Sequence, residues 1–125
     1  MKKLYFQPRL DESKIMFDKG IWALQILLAL MFLIAGGLKI LGAEPMVATF
    51  EKIGAGQWFR YLTGLIELLS AILLIIPRFA GVGAWLIMAT MSGAMLTHLL
   101  VIGGNPAAPA ILLAVAVIIA WKRKN

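Results

Sequence analysis

The amino-acid sequence predicts an all-α integral membrane protein built as a four-helix bundle. Hydrophobic residues make up 62% of the 125 residues and charged residues only 14%. A soluble domain averages about 45–50% apolar residues and about 25% charged residues. The few charges also divide the chain into apolar runs of spanning length, so lipid is the expected solvent.

The apolar runs between charged residues place the four helices. Lys19 and Lys39 enclose 19 uncharged residues, which as a helix span about 28 Å, close to the hydrocarbon thickness of a bilayer. Arg60 and Arg78 enclose 17 residues in which Glu67 is the only charge, and the next 43 residues contain no Asp, Glu, Lys or Arg. A Gly-Gly-Asn-Pro turn signal divides that last run. We therefore predict helices at about 20–41, 60–77, 79–102 and 107–121.

The basic residues predict the orientation. Nine of the 12 Lys and Arg residues fall on one side of the membrane if both termini are cytoplasmic, as the positive-inside rule requires. The expected parts are a cytoplasmic arm at 1–19, a membrane domain at 20–121 and a basic tail at 122–125. The first apolar run begins late and is long, so we expect an uncleaved span rather than a signal peptide.

The connection at 42–59 is the only long one. Its apolar residues recur at helical spacing on one side of a segment that opens with a proline, namely Met46, Val47, Phe50 and Ile53. This pattern predicts a short interfacial helix in the first outer loop.

The composition excludes several classes of function. The chain has no cysteine, which excludes disulfides, thiol redox chemistry, iron–sulfur clusters and covalent haem attachment. The single histidine, His98, excludes a bis-His haem or a His-rich zinc site within one subunit, and no metal site is predicted. The charges flank apolar segments instead of gathering on one face, so the expected partner is the lipid bilayer and not nucleic acid.

Glu67 is the most informative residue in the sequence. It lies near the middle of a predicted span, where an unpaired carboxylate costs at least about 2.5 kcal/mol. The sequence offers two partners at membrane depth, Lys39 and His98, and does not choose between them. We predict that Glu67 lies within hydrogen-bond or salt-bridge reach of one of them.

These residues form a candidate site in the outer half of the bundle. Glu67 and His98 are the candidate catalytic residues, because a carboxyl group and an imidazole exchange protons. The candidate ligand-binding residues are their polar neighbours Lys39, Arg60, Thr63 and Thr97. Purely structural roles are equally open: Lys39 can extend to the lipid headgroups, His98 can bond a backbone carbonyl, and Glu67 can hold two helices together.

A resemblance to a known family rests on three stretches. They are GLIELLSAILLIIPRFAGVGAWLIMATMSGAMLTHLL at 64–100, the end of the first helix, FLIAGGLKILG, and the C-terminal PAAPAILL. Together they resemble the DoxX-like family of small bacterial membrane proteins. The resemblance implies a multi-pass protein of the cytoplasmic (inner) membrane, with polar family positions at Lys39, Glu67 and His98. It also implies a link to respiratory and sulfur redox systems, since relatives include a subunit of a thiosulfate:quinone oxidoreductase.

One departure from the family pattern concerns the ligand. A basic residue frequent soon after the family's Thr-His pair is absent, because Leu99, Leu100, Val101 and Ile102 follow His98. An anionic ligand is therefore not expected at this point.

Two functions from different classes follow. The first is a redox-associated membrane subunit that handles a quinone, because quinone carbonyls need proton donors when they are reduced. The second is a non-catalytic scaffold or accessory subunit for a partner protein. A small-solute transporter is less favoured, since no inverted repeat is visible. The sequence leaves open a redox partner protein, a homo-oligomer and whether the protein is a subunit of a quinone-linked oxidoreductase.

Overall fold

The computed structural model describes the backbone of residues 8–124, and the side chains of residue 12 and residues 14–124. This part of the chain contains helices and no strand, which confirms the all-α prediction. The five α-helices are α1 (Pro8–Leu41), α2 (Glu44–Ile53), α3 (Gln57–Leu74), α4 (Ala80–Thr97) and α5 (Ala107–Lys122). A 3₁₀ turn at Pro77–Phe79 precedes α4, and a π-helical turn at His98–Ile102 continues it.

Helix α1 is longer than predicted. The sequence placed its start at about residue 20, but the helix begins at Pro8. Hydropathy marks where lipid ends, whereas backbone hydrogen bonding continues through charged residues until a helix breaker intervenes. A helix of 34 residues is about 51 Å long, well beyond the hydrocarbon thickness of about 30 Å. Residues 1–7 of the predicted arm lie outside the described residues.

Helices α1 and α3 pack side by side and run antiparallel. Gln25, early in α1, bonds the carbonyl of Leu74 at the end of α3, while Gly36 lies against Gly64, nearer the start of α3. A Cβ on Gly36 would lie 2.8 Å from the Gly64 carbonyl oxygen, so only glycine permits this approach. Small residues at such crossings let helix backbones come close.

The buried core lies between α1, α3, α4 and α5. Helix α4 contacts both α3 and α5, and α1 contacts α3 and α5. At the contact of α3 with α4, a Cβ on Gly83 would lie 2.8 Å from the Leu74 nitrogen. The core residues are Leu28, Ala29, Phe32, Ala71, Leu74, Ala84, Ile87, Met91, Ala116, Ile119 and Ala120.

A polar cluster joins three helices at the end opposite to Gly36. The fully buried Gln25 donates from Nε2 to the Leu74 carbonyl oxygen at 2.8 Å and accepts from Arg123 Nε at 2.7 Å. Arg123 also contacts Asp18 at 2.8 Å. A buried amide is stable only when it is hydrogen-bonded, so this cluster fixes the end of α5 against α1 and α3.

Within the described residues, two segments have the length and composition to cross a membrane, Lys14–Leu41 and Pro77–Ile102. The last helix, Ala107–Lys122, is apolar but shorter. The connection before α3 contains the helix predicted there, α2, whose Phe50 is buried and packs edge-on against Phe59 at 5.8 Å between ring centroids.

Candidate functional site

Glu67 pairs with Lys39. Lys39 Nζ lies 2.9 Å from Glu67 Oε1, and the two side chains are 13% and 4% exposed. The prediction that Glu67 lies within reach of Lys39 or His98 is thereby confirmed, and the partner is Lys39. Oε1 has no other donor among the described residues.

The close crossing of α1 and α3 brings the pair together. Lys39 lies three residues after Gly36, and Glu67 three residues after Gly64. Side chains on a helix lean toward its N-terminus. Because α1 and α3 are antiparallel, the two side chains lean toward each other over the glycine contact.

Arg60 fixes the end of α1 from the neighbouring helix. It is 5% exposed, and its Nη1 donates to the carbonyl oxygen of Lys39. Its Nε donates to Gln57 Oε1 at 2.6 Å. A guanidinium at the last turn of a helix donates to a carbonyl that lacks its usual partner four residues later, and it complements the helix dipole. Arg60 therefore holds the backbone that carries Lys39, and its side chain is not on the wall of the cavity described next.

A cavity of about 490 Å³ lies beside the Lys39–Glu67 pair. Helices α2, α3 and α4 provide most of its wall, Lys39 comes from α1, and the turn after α4 adds His98 and Ile102. The apolar part of the wall includes Met46, Phe50, Ile53, Phe59, Ile66, Leu86, Met91 and Ile102. The volume falls within the range of about 300–1,000 Å³ that is typical of small-molecule sites.

His98 lies at the π-helical turn that ends α4. Its Nδ1 is 3.0 Å from the carbonyl oxygen of Gly103. A carbonyl oxygen can only accept, so Nδ1 carries the proton and Nε2 of the neutral ring is an acceptor. No hydrogen bond or ion pair joins His98 to Glu67 or Lys39 among the contacts of residues 8–124. The two candidate catalytic residues share the cavity wall without touching.

Both predicted threonines line the cavity, and the sequence analysis missed two others. Thr63 and Thr97 lie on the wall as expected of ligand-binding candidates, and Thr49 and Thr90 join them. A helical pattern could have revealed Thr90, because Thr90, Gly93 and Thr97 recur at i, i+3 and i+7 on one face of α4. No such signal exists for Thr49, whose helix reaches the cavity only through tertiary packing.

The comparison with known families agrees with the resemblance seen in the sequence. The model of the DoxX-like family matches residues 23–120. The chain belongs to the DoxX-like family. The matched range includes Lys39, Glu67, His98 and all four threonines of this DoxX-like protein. Together with the apolar helices, the family indicates a small membrane protein. Searches among curated proteins and among solved structures give no significant match.

Proposed function

We propose that this DoxX-like protein crosses the bacterial cytoplasmic membrane four times as a four-helix bundle, with both termini in the cytoplasm. Helices α3 and α5, with 18 and 16 residues, are about 27 and 24 Å long, close to the hydrocarbon thickness. Large apolar side chains cover the outer faces, for example Leu27, Leu30, Trp85 and Val117. In this arrangement α2 lies at the outer interface, residues 1–19 form the arm, and residues 122–125 form the basic tail.

Within that arrangement, the proposed function is that of a redox-associated membrane subunit that binds a quinone in the cavity. The observation that carries this proposal is the cavity itself. Its wall is mainly apolar, and it holds both the buried carboxyl group of Glu67 and the chain's one histidine. An apolar cleft with a few convergent titratable groups is the usual form of a small-molecule site.

The chemistry assigns separate roles to the polar residues. Interconversion of a quinone and its quinol moves two electrons and two protons. Glu67 and His98 are placed to hold or transfer one proton each at the cavity wall, and Lys39 fixes the Glu67 carboxyl. The electrons pass to or from a redox partner protein, since the chain has no cysteine for thiol or iron–sulfur chemistry.

Filling the cavity provides the test. A Cβ on Gly93 meets no atom within 4 Å, and Gly93 lies on the cavity wall. Gly93→Leu should therefore occupy the cavity without a backbone clash. Gly37→Leu is the matched control, because Gly37 is also within a helix, also has no atom within 4 Å of a Cβ, and is off the cavity wall.

The measurement is the quinone and quinol content of protein purified in mild detergent, determined by mass spectrometry. We expect quinone to be retained by wild type and Gly37→Leu, and reduced at least about tenfold in Gly93→Leu, the equivalent of about 1.4 kcal/mol. Equal quinone content in all three proteins would contradict a site in this cavity. A stoichiometric partner protein with no bound quinone would favour the scaffold function instead.

A further inference from the structure

Hydroxyl groups are concentrated around the cavity. The chain contains four threonines, and all four lie on the wall: Thr49 on α2, Thr63 on α3, and Thr90 and Thr97 on α4. Ser70 and Ser92 are off the wall. Three helices thus contribute the same polar group to one space.

Every one of these hydroxyl groups already donates its proton. Thr49, Thr63, Thr90 and Thr97 each bond the carbonyl oxygen four residues earlier, all at 2.8 Å. A carbonyl oxygen cannot donate, so the hydroxyl hydrogen lies between the two oxygens. Each threonine hydroxyl on the wall can therefore only accept a hydrogen bond from a ligand, and a ligand acceptor would have to displace a backbone bond.

The remaining polar groups on the wall reinforce this preference. Glu67 Oε1 is buried and has no donor other than the Lys39 ammonium among the described residues, and in the tautomer that places the proton on Nδ1, toward the Gly103 carbonyl, His98 Nε2 is an acceptor. Of the residues that the structure describes, no Ser, Asn, Gln, Tyr, Trp or Arg side chain lies on the wall. Its one standing donor is the Lys39 ammonium, which already faces Glu67.

The cavity also favours a neutral ligand. The Lys39–Glu67 ion pair has no net charge, and no other Lys, Arg, Asp or Glu among the described residues lies on the wall. A bound cation or anion would therefore lose its hydration without gaining an opposite charge in return.

We propose that the cavity selects a neutral, apolar molecule that carries hydroxyl donors, and therefore binds the reduced quinol more tightly than the quinone. This inference rests on the proposed function, because both concern the same cavity, and it adds the oxidation state of the preferred ligand. A quinol offers two hydroxyl groups to the threonine oxygens, Glu67 or His98. A quinone offers only carbonyl acceptors to a wall that already consists of acceptors.

The test compares related probes with and without hydrogen-bond donors. They are a short-chain alkyl benzoquinol, its quinone, its di-O-methyl ether, and the pair 4-alkylphenol and 4-alkylanisole. Binding to purified protein in detergent is measured by calorimetry without oxygen. A reductant is added only when the quinol is titrated, to keep it reduced. It leaves the protein intact, since the chain has no disulfide.

We expect the quinol to bind at least about tenfold tighter than the quinone and the ether, which is the contribution of one well-placed hydrogen bond. The variant Thr90→Val/Thr97→Val keeps side-chain shape and removes two acceptors. It should weaken quinol binding about tenfold and leave ether binding unchanged. Ser70→Ala is the control, because Ser70 makes the same bond to the carbonyl four residues earlier, at 2.7 Å, away from the cavity.

The outcomes separate this inference from the proposed function. Equal binding of quinol and quinone, lost together in Gly93→Leu, would overturn the preference and leave the quinone site standing. Binding of the phenol but not of the anisole or either quinone form would support the donor preference and contradict the quinone function. If no hydroxyl-bearing probe binds, the inference is wrong.

Discussion

Replacing Lys39 or Glu67 alone should destabilise the protein, and the sum of the two losses should exceed the loss in the double variant. The variants are Lys39→Met, Glu67→Gln and the double variant. Removing one partner of a buried ion pair costs about 3–5 kcal/mol, because the other charge remains buried without compensation. A loss of about 5 kcal/mol in the free energy of unfolding is therefore the upper limit for either single variant.

The geometry predicts that the two single variants lose different amounts of stability. Lys39 is 13% exposed and lies within the last turn of α1, so in Glu67→Gln its ammonium can extend toward the interface. Glu67 is 4% exposed and lies about 15 Å along α3 from Gln57, so in Lys39→Met its carboxylate stays buried without an opposite charge. We expect a loss of about 3–5 kcal/mol for Lys39→Met and of about 1–3 kcal/mol for Glu67→Gln.

The double variant isolates the interaction. It leaves one buried neutral amide, at a cost of about 1–3 kcal/mol, so the coupling energy should be at least about 2 kcal/mol. The assay is reversible unfolding in mixed micelles with increasing dodecyl sulfate, followed by far-UV circular dichroism. Lys52→Met, at an exposed position on α2, is the control and should change stability by less than about 0.5 kcal/mol. If the losses of the single variants add up to that of the double variant, the pair does not stabilise the fold.

Three further predictions use the same unfolding assay or a simple fusion. Gly36→Ala should cost about 1–3 kcal/mol through overpacking, since its Cβ would lie 2.8 Å from the Gly64 carbonyl oxygen. Gly37→Ala is the control and should cause no loss, because its Cβ meets no atom within 4 Å. Equal stability of the two variants would contradict the close crossing of α1 and α3. Gln25→Leu should cost about 1–3 kcal/mol, because this amide bonds both α3 and α5, and wild-type stability would show that the polar cluster is dispensable. A reporter that is active only in the cytoplasm should work when fused to the C-terminus, and activity of a periplasmic reporter alone would reverse the proposed orientation.

Local patterns in the sequence were enough to predict the all-α fold class and the family. Apolar runs bounded by charges predicted helices near the observed α3, α4 and α5, because hydropathy and helical periodicity depend on residues close together in the chain. The same local pattern predicted α2. It could not place the start of α1, because charge limits contact with lipid without interrupting a helix.

For Glu67, the sequence narrowed the partner to two residues and the tertiary structure chose Lys39. The choice depends on how far α1 and α3 approach and how each is rotated. Gly36 and Gly64 set that approach through backbone contact, and the antiparallel direction makes the two side chains converge. His98 instead lies against the carbonyl of Gly103, the residue that follows the π-helical turn.

The grouping of the threonines was decided by the tertiary structure alone. Thr49, Thr63, Thr90 and Thr97 are separated by up to 48 positions in the chain, and only the packing of α3 against α2 and α4 brings the four residues to one cavity. Each hydroxyl group bonds the carbonyl oxygen four residues earlier in its own helix. That bond is local, so it can be predicted from the sequence wherever the helix begins at least four residues before the threonine. Which space those oxygens face depends on the rotation of each helix about its axis, and contacts between residues far apart in the chain set that rotation.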